Sequence, residues 1–103
     1  AVCKANPRTV VILSNGAPVS MPWIDQTGAV LEGYLAGQAG GSALVDLIFG
    51  VASPCGKLAE SFPITQDTLA SNAYFPGEHD QVQYREGLNV GYRHFDSAHI
   101  PVL

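Results

Sequence analysis

Apolar side chains in this chain of 103 residues gather into a few short blocks, each with its own spacing. Thr9-Val10-Val11-Ile12-Leu13 is β-branched or apolar throughout and lies between Pro7 and Ser14-Asn15-Gly16. A block that does not alternate fits a parallel strand buried on both faces. A second strand is expected from Ala29 to Ala36, with Val30, Leu31, Tyr34 and Leu35 as its buried residues. The glycine-rich turn Gly37 to Gly41 follows, and Ser42 or Gly41 can cap a helix from Ala43 to Phe49. Leu44, Leu47 and Ile48 line one face of that helix, Val45 and Phe49 widen the stripe, and Gly50 ends it in the left-handed region. Ala1 to Ala5 is helix-compatible up to Asn6-Pro7, and Val19 to Trp23 reads as a short extended segment. From Val51 to Leu103, Pro54, Gly56, Pro63, Pro76 and Gly77 punctuate the chain, and mostly loop and extended structure is expected. Strand, turn, strand, turn, helix is the order of an α/β layer rather than of a barrel or a bundle.

Composition narrows the partners. An apolar content of 47% is enough for a packed core, which argues against disorder. Five Lys and Arg stand against nine Asp and Glu, a net charge of −4, so there is no basic stripe to neutralise phosphates. Nucleic acid and anionic membrane are therefore excluded as expected partners. The apolar blocks Thr9 to Leu13 and Ala43 to Phe49 are far shorter than a bilayer span. Cys3 and Cys55 have neither a framework number nor a zinc spacing, and their redox state stays open.

One run near the C-terminus carries more information than any other: Tyr84-Arg85-Glu86-Gly87-Leu88-Asn89-Val90-Gly91-Tyr92-Arg93-His94-Phe95-Asp96. Its polar and apolar residues follow neither the helical nor the strand period over the whole run. The expectation is an irregular segment laid over a core, anchored by Tyr84, Tyr92 and Phe95, with Arg85 and Arg93 meeting carboxylates such as Glu86 and Asp96 or backbone carbonyls. The run resembles the Tyr-x-Glu-Gly-(Leu/Ile)-x-Val-Gly-Tyr-Arg-(Tyr/His)-Phe-Asp signature of β-glucosidases in glycoside hydrolase family 3. Further landmarks follow the family's order: Asn6-Pro7, Gly16-Ala17-Pro18-Val19, Met21-Pro22-Trp23, Tyr34-Leu35-Ala36-Gly37-Gln38-Ala39-Gly40-Gly41, Ser53-Pro54-Cys55-Gly56-Lys57-Leu58 and Ser61-Phe62-Pro63. Asn89 stands where an aromatic is common, and Cys55 where Ser is usual.

The resemblance implies a partial three-layer α/β sandwich with a mainly parallel sheet, followed by a long irregular C-terminal segment. Residues 1–63 would form the α/β core portion and 64–103 the extended, loop-rich portion of a single partial domain. Family members have further strands and helices before the first strand and continue past Pro101-Val102-Leu103, so a piece of a larger protein is expected. The implied partners are a β-glucoside or oligosaccharide substrate and a barrel domain on the N-terminal side, and exposed apolar faces make self-association possible. Secreted, periplasmic and cytoplasmic locations are all compatible.

The chemistry of a retaining glycosidase needs two carboxyl groups about 5–5.5 Å apart, one attacking the anomeric carbon and one protonating the leaving oxygen. The resemblance locates the nucleophilic Asp in a Ser-Asp-Trp-like context on the barrel, and the acid/base Glu upstream of the Thr9 to Leu13 strand. Neither context occurs here, so no residue of this chain is assigned as catalytic, and no cofactor or metal is expected. Glu86 beside Arg85 and Arg93 suits a structural ion pair, because a neighbouring guanidinium favours the ionised form, the wrong direction for a general acid. Glu78-His79-Asp80 reads as a polar turn after Pro76-Gly77. His79, His94 and His99 match no metal-loop spacing, and His94 is expected to lie beside Phe95. The Gly37 to Gly41 turn lacks both phosphate-loop patterns, so its glycines are read as permitting close strand-to-helix packing. Ser14 and Ser42 lack a nucleophile elbow. Trp23 is read as a loop anchor, while Tyr74 and Phe75 stay open between packing and a sugar subsite. The alternative to an enzyme fragment is a noncatalytic carbohydrate-binding or interaction module with the same core.

Overall fold

The computed structural model describes residues 1–103 and divides into two units, Ala1–Ala17 with Met21–Leu58, and Pro18–Ser20 with Ala59–Leu103. The first unit holds α1 (Val2–Ala5), β1 (Val10–Leu13), β2 (Ala29–Glu32) and α2 (Gly40–Ile48). β1 and β2 pair in parallel, with Val10 opposite Ala29, Val11 opposite Val30, Ile12 opposite Leu31 and Leu13 opposite Glu32. The ladder is extended at both ends, by Gly28 N–H to the Thr9 carbonyl at 2.8 Å and Gly33 N–H to the Leu13 carbonyl at 3.0 Å. Both glycines sit where a Cβ would crowd β1, 3.2 Å from the Thr9 oxygen at Gly28 and 3.1 Å from the Leu13 oxygen at Gly33. β-branched residues place the ladder, and glycines let the chain approach it.

β2 is shorter than the apolar pattern suggests. The Glu32 side chain accepts the Tyr34 N–H at 2.7 Å, and Tyr34 takes a left-handed φ of 47°, so the backbone leaves the strand direction. Helix α2 begins at Gly40, earlier than the apolar stripe, without a side-chain cap, and Ser42 lies inside it with Oγ donating to the Ala39 carbonyl at 2.9 Å. A Cβ on Gly40 would collide with that of Ala36, so this glycine permits a tight turn within the loop. The strand-to-helix approach expected of the Gly37 to Gly41 turn occurs instead at Gly33, whose absent Cβ would meet Leu44 at 3.7 Å. Gly50, at φ 74°, closes α2 as a Schellman motif, with Val51 N–H to the Asp46 carbonyl at 2.8 Å and Gly50 N–H to the Leu47 carbonyl at 3.3 Å.

Burial departs from the sequence expectation. Val10, Ile12 and Leu35 are 53%, 40% and 77% exposed, and Leu31 is half-buried, so this chain does not cover both faces of its strands. Only Met21, Phe62 and Phe95 are buried hydrophobic residues.

The second unit contains two 3₁₀ turns, Gln66–Thr68 and Ala70–Ala73, and a helix, α3 (Tyr92–Ser97). The last part of the signature run is thus helical rather than irregular. Gly91, at φ 56°, precedes α3, and Phe95 is its one buried residue. Tyr84 and Tyr92, expected as anchors, are 89% and 61% exposed. The helix ends as a second Schellman motif with His99 at φ 54° in the place glycine usually fills, Ile100 N–H bonding the Phe95 carbonyl at 2.9 Å and His99 N–H the Asp96 carbonyl at 3.2 Å. Pro63 and Val102 form an antiparallel bridge, with Leu103 N–H to the Phe62 carbonyl at 2.9 Å.

Because Phe95 is the one side chain that α3 buries, Phe95→Ala should cost about 3–5 kcal/mol and release the segment after Gly91. Limited proteolysis checks this. Cleavage between Tyr92 and Leu103 should rise sharply in the mutant, and an unchanged digestion pattern would contradict the assignment of Phe95 as the anchor.

Candidate functional site

The titratable residues singled out by the sequence fall into separate places. His94 Nε2 lies 3.0 Å from the Thr68 carbonyl, which can only accept, so that nitrogen carries the proton. Its ring meets Phe95 edge-on with centroids 5.4 Å apart, and it fixes α3 to the first 3₁₀ turn. His99 closes α3, and His79 sits in a turn. No group of three His, Cys, Asp or Glu is arranged to hold a metal ion. Cys3 is half-buried and Cys55 exposed, both as free thiols. No helix is long and apolar enough to cross a membrane.

The arginine partners differ from expectation. Arg85 Nε donates to Gln83 Oε1, and its guanidinium lies 5.3 Å from the Tyr74 ring centroid. Arg93 Nε donates to the Tyr92 hydroxyl at 3.3 Å and lies 5.7 Å from that ring's centroid. An amide, a phenol and two rings thus stand where carboxylates were expected. Glu86 is half-buried, and its carbonyl accepts the Asn89 N–H at 3.0 Å across a turn through Gly87. Trp23 is half-buried in the first unit ahead of the 3₁₀ turn Ile24–Gln26, its carbonyl accepting the Gln26 N–H at 2.9 Å.

Two polar atoms at the carboxyl ends of the parallel strands are buried without a hydrogen-bond partner. One is Asn15 Oδ1, just past β1, whose Nδ2 donates to the Ala17 carbonyl at 2.7 Å, and the other is Glu32 Oε2, the last residue of β2. The carboxyl ends of parallel strands are where α/β sheets gather functional groups. Sequence reading missed both residues, since neither sits in a catalytic pattern.

The second unit holds a cleft of about 370 Å³ whose lining includes Tyr74, Phe75, Glu78, Gln81, Gln83 and Arg85. The two ends of the predicted polar turn, Glu78 and Gln81, contribute to that lining. Glu78 N–H bonds the Gln81 carbonyl at 3.1 Å, and Gln81 N–H returns to the Glu78 carbonyl at 3.0 Å. His79 and Asp80 between them have φ of 50° and 59°, as a type I′ hairpin turn requires. Gly77 leads in at φ 102°, where an added Cβ would collide with the Gln81 carbonyl. Phe75, 70% exposed, lines the cleft together with half-buried Tyr74, whose ring carries the Arg85 guanidinium, and with Glu78 and Gln83. A signal for the turn was present in Pro76-Gly77, but none announced Gln83 as the residue that orients Arg85.

With this geometry in place, comparison with known proteins is specific. Residues 1–92 match the profile of the glycosyl hydrolase family 3 C-terminal domain. The chain is 52% identical over 103 residues to thermostable beta-glucosidase B of Acetivibrio thermocellus, matching 100% of this chain and 14% of that protein. It is 46% identical over 97 residues to an exo-alpha-(1->6)-L-arabinopyranosidase of Bifidobacterium breve, matching 93% of this chain and 13% of that protein. The crystal structure of a beta-glucosidase from Kluyveromyces marxianus superposes with a TM-score of 0.93 at 34% identity, over 98% of this chain and 12% of that one. The chain thus spans well under a fifth of these relatives' length.

The Glu78–Gln81 turn depends on Gly77 more than on other left-handed glycines. Gly77→Ala should cost about 1–3 kcal/mol and remove the protection of the Glu78 and Gln81 amides from hydrogen exchange. Gly87→Ala, at φ 61° with open space around its Cβ, should leave those amides protected. Equal protection in both variants would contradict the role given to Gly77.

Proposed function

The chain belongs to the glycosyl hydrolase family 3 C-terminal domain family, and on that premise we propose that it is the scaffold part of a retaining β-glucosidase-like enzyme. The enzyme hydrolyses terminal β-linked glucosyl residues through a covalent glycosyl-enzyme. This chain shapes one wall of the active-site crevice and contributes neither catalytic carboxylate. The observation that carries this reading is a match along the whole chain to 14% of a β-glucosidase. A domain on the N-terminal side then supplies the barrel and its nucleophile.

Local chemistry supports the scaffold role. Retention needs two carboxyl groups held face to face about 5–5.5 Å apart across the scissile bond. Glu78, Asp80 and Glu86 stand on turns, and Glu32 has one oxygen committed to the Tyr34 N–H. The relatives named for glucosidase and arabinopyranosidase activity are 52% and 46% identical here, so likeness over this segment is shared by enzymes named for different sugars.

Two outcomes follow from the missing carboxylate pair and the uncovered faces. The chain by itself should release no nitrophenol from p-nitrophenyl β-glucoside above the buffer rate, whereas the longer enzyme should. Turnover that persists through repurification and disappears in Glu86→Gln would overturn the assignment of roles. The isolated chain should also self-associate through surfaces bearing Val10, Val45, Phe49 and Val51, each more than half exposed. Sedimentation velocity over a concentration series should show growing species, and a compact monomer throughout would contradict the expectation.

A further inference from the structure

We propose that the cleft lined by Tyr74, Phe75 and the Glu78–Gln81 hairpin is a sugar-binding site for a single neutral pyranose ring. The ligand class rests on the glycosidase reading, while the site rests on its own geometry. At about 370 Å³ the cleft lies near the lower end of the roughly 300–1,000 Å³ typical of small-molecule pockets, room for one ring rather than an oligosaccharide chain.

The chemistry of the lining selects the ligand. Phe75 lines the cleft while 70% exposed, so its ring is available to a ligand rather than consumed by a core. A pyranose presents C–H groups on its faces and hydroxyls around its rim, and the accessible Phe75 ring beside planar polar groups matches both. Gln83 spends its carbonyl oxygen on Arg85 Nε and keeps its amide N–H donors. Arg85 keeps its terminal N–H donors, oriented by Gln83 and by the Tyr74 ring beneath. Glu78 adds an acceptor. The guanidinium opposes a cation and the carboxylate opposes an anion, so a neutral ligand that both donates and accepts fits best.

The frame is set before any ligand arrives. The paired Glu78 and Gln81 backbone bonds, the left-handed His79 and Asp80, and the steric demand for glycine at position 77 hold the hairpin. Gln83 and Tyr74 hold Arg85 from two sides. A prepared site loses less freedom on binding, which matters for a weakly held sugar.

Saturation-transfer NMR on the 103-residue chain, with methyl β-glucopyranoside as the probe, tests this directly and works for associated as well as monomeric protein. Transfer to the ring C–H protons is expected. Phe75→Ala and Gln83→Ala should each weaken binding roughly fivefold or more, and Phe49→Ala, an exposed phenylalanine outside the cleft lining, should not. Both cleft positions are exposed, so neither change removes core packing. No transfer in the folded wild-type chain, wild-type transfer in both cleft variants, or stronger binding of acetate than of the glucoside would each overturn the proposal. Hydrolysis of aryl β-glucosides by the longer enzyme, with no transfer to the folded 103-residue chain, would leave the enzyme reading standing and remove this site. Transfer to the 103-residue chain together with no hydrolysis of aryl β-glucosides by the longer protein would keep the site and remove the enzyme reading.

Discussion

The ladder between β1 and β2 fixes the first unit, because a parallel pair satisfies backbone groups along one edge of each strand and leaves the outer edges and faces to other elements. Here those elements are few. Helix α2 brings Leu44 over Gly33, yet Val45, Ile48 and Phe49 of the same stretch are 51%, 48% and 78% exposed. Val10 and Ile12 likewise present apolar side chains outward, in a class of sheet that is normally covered on both faces. The unit carries the pattern of an interior without enough chain to enclose it. That is the physical content of a segment spanning 14% of a β-glucosidase to which it is similar along its whole length.

The second unit is organised by backbone conformation more than by burial. Phe62 and Phe95 are its buried hydrophobic residues, and the rest of its order comes from local closures. His94 reaches the Thr68 carbonyl, a Schellman motif ends α3, and the Glu78–Gln81 pair locks a hairpin turn. Such devices fix geometry at small cost in core volume. They suit a segment that presents side chains such as Phe75 and Arg85 at a defined surface.

Much of this was legible in the residues. The uninterrupted block from Val10 to Leu13 and the start at Ala29 placed both strands, and Gly50 marked the end of α2, because β-branched runs and a C-terminal glycine act locally. The end of β2 was not legible, since it depends on the Glu32 side chain taking the Tyr34 N–H, a choice that propensity does not record. Helix α3 was hidden for a similar reason: six residues are too few to show a period, and Phe95 alone gives the helix a buried side. Arg85 and Arg93 looked destined for neighbouring carboxylates, but the fold brings Gln83, Tyr74 and Tyr92 to them instead. In the cleft, Pro76-Gly77 announced a turn, while the meeting of Tyr74 with Arg85 depends on a chain reversal that only the hairpin geometry reveals.

The family assignment and the scaffold role meet at one question, which is where the reacting carboxylates reside. A 2-deoxy-2-fluoroglucoside with a good leaving group traps the covalent glycosyl-enzyme of a retaining glucosidase, because the fluorine slows both steps and the leaving group restores the first. Peptide mapping of the longer enzyme after such labelling would locate the nucleophile. The label is expected on an aspartate outside the sequence Ala1 to Leu103, whereas a label on any carboxylate within it, Glu86 above all, would overturn the scaffold role.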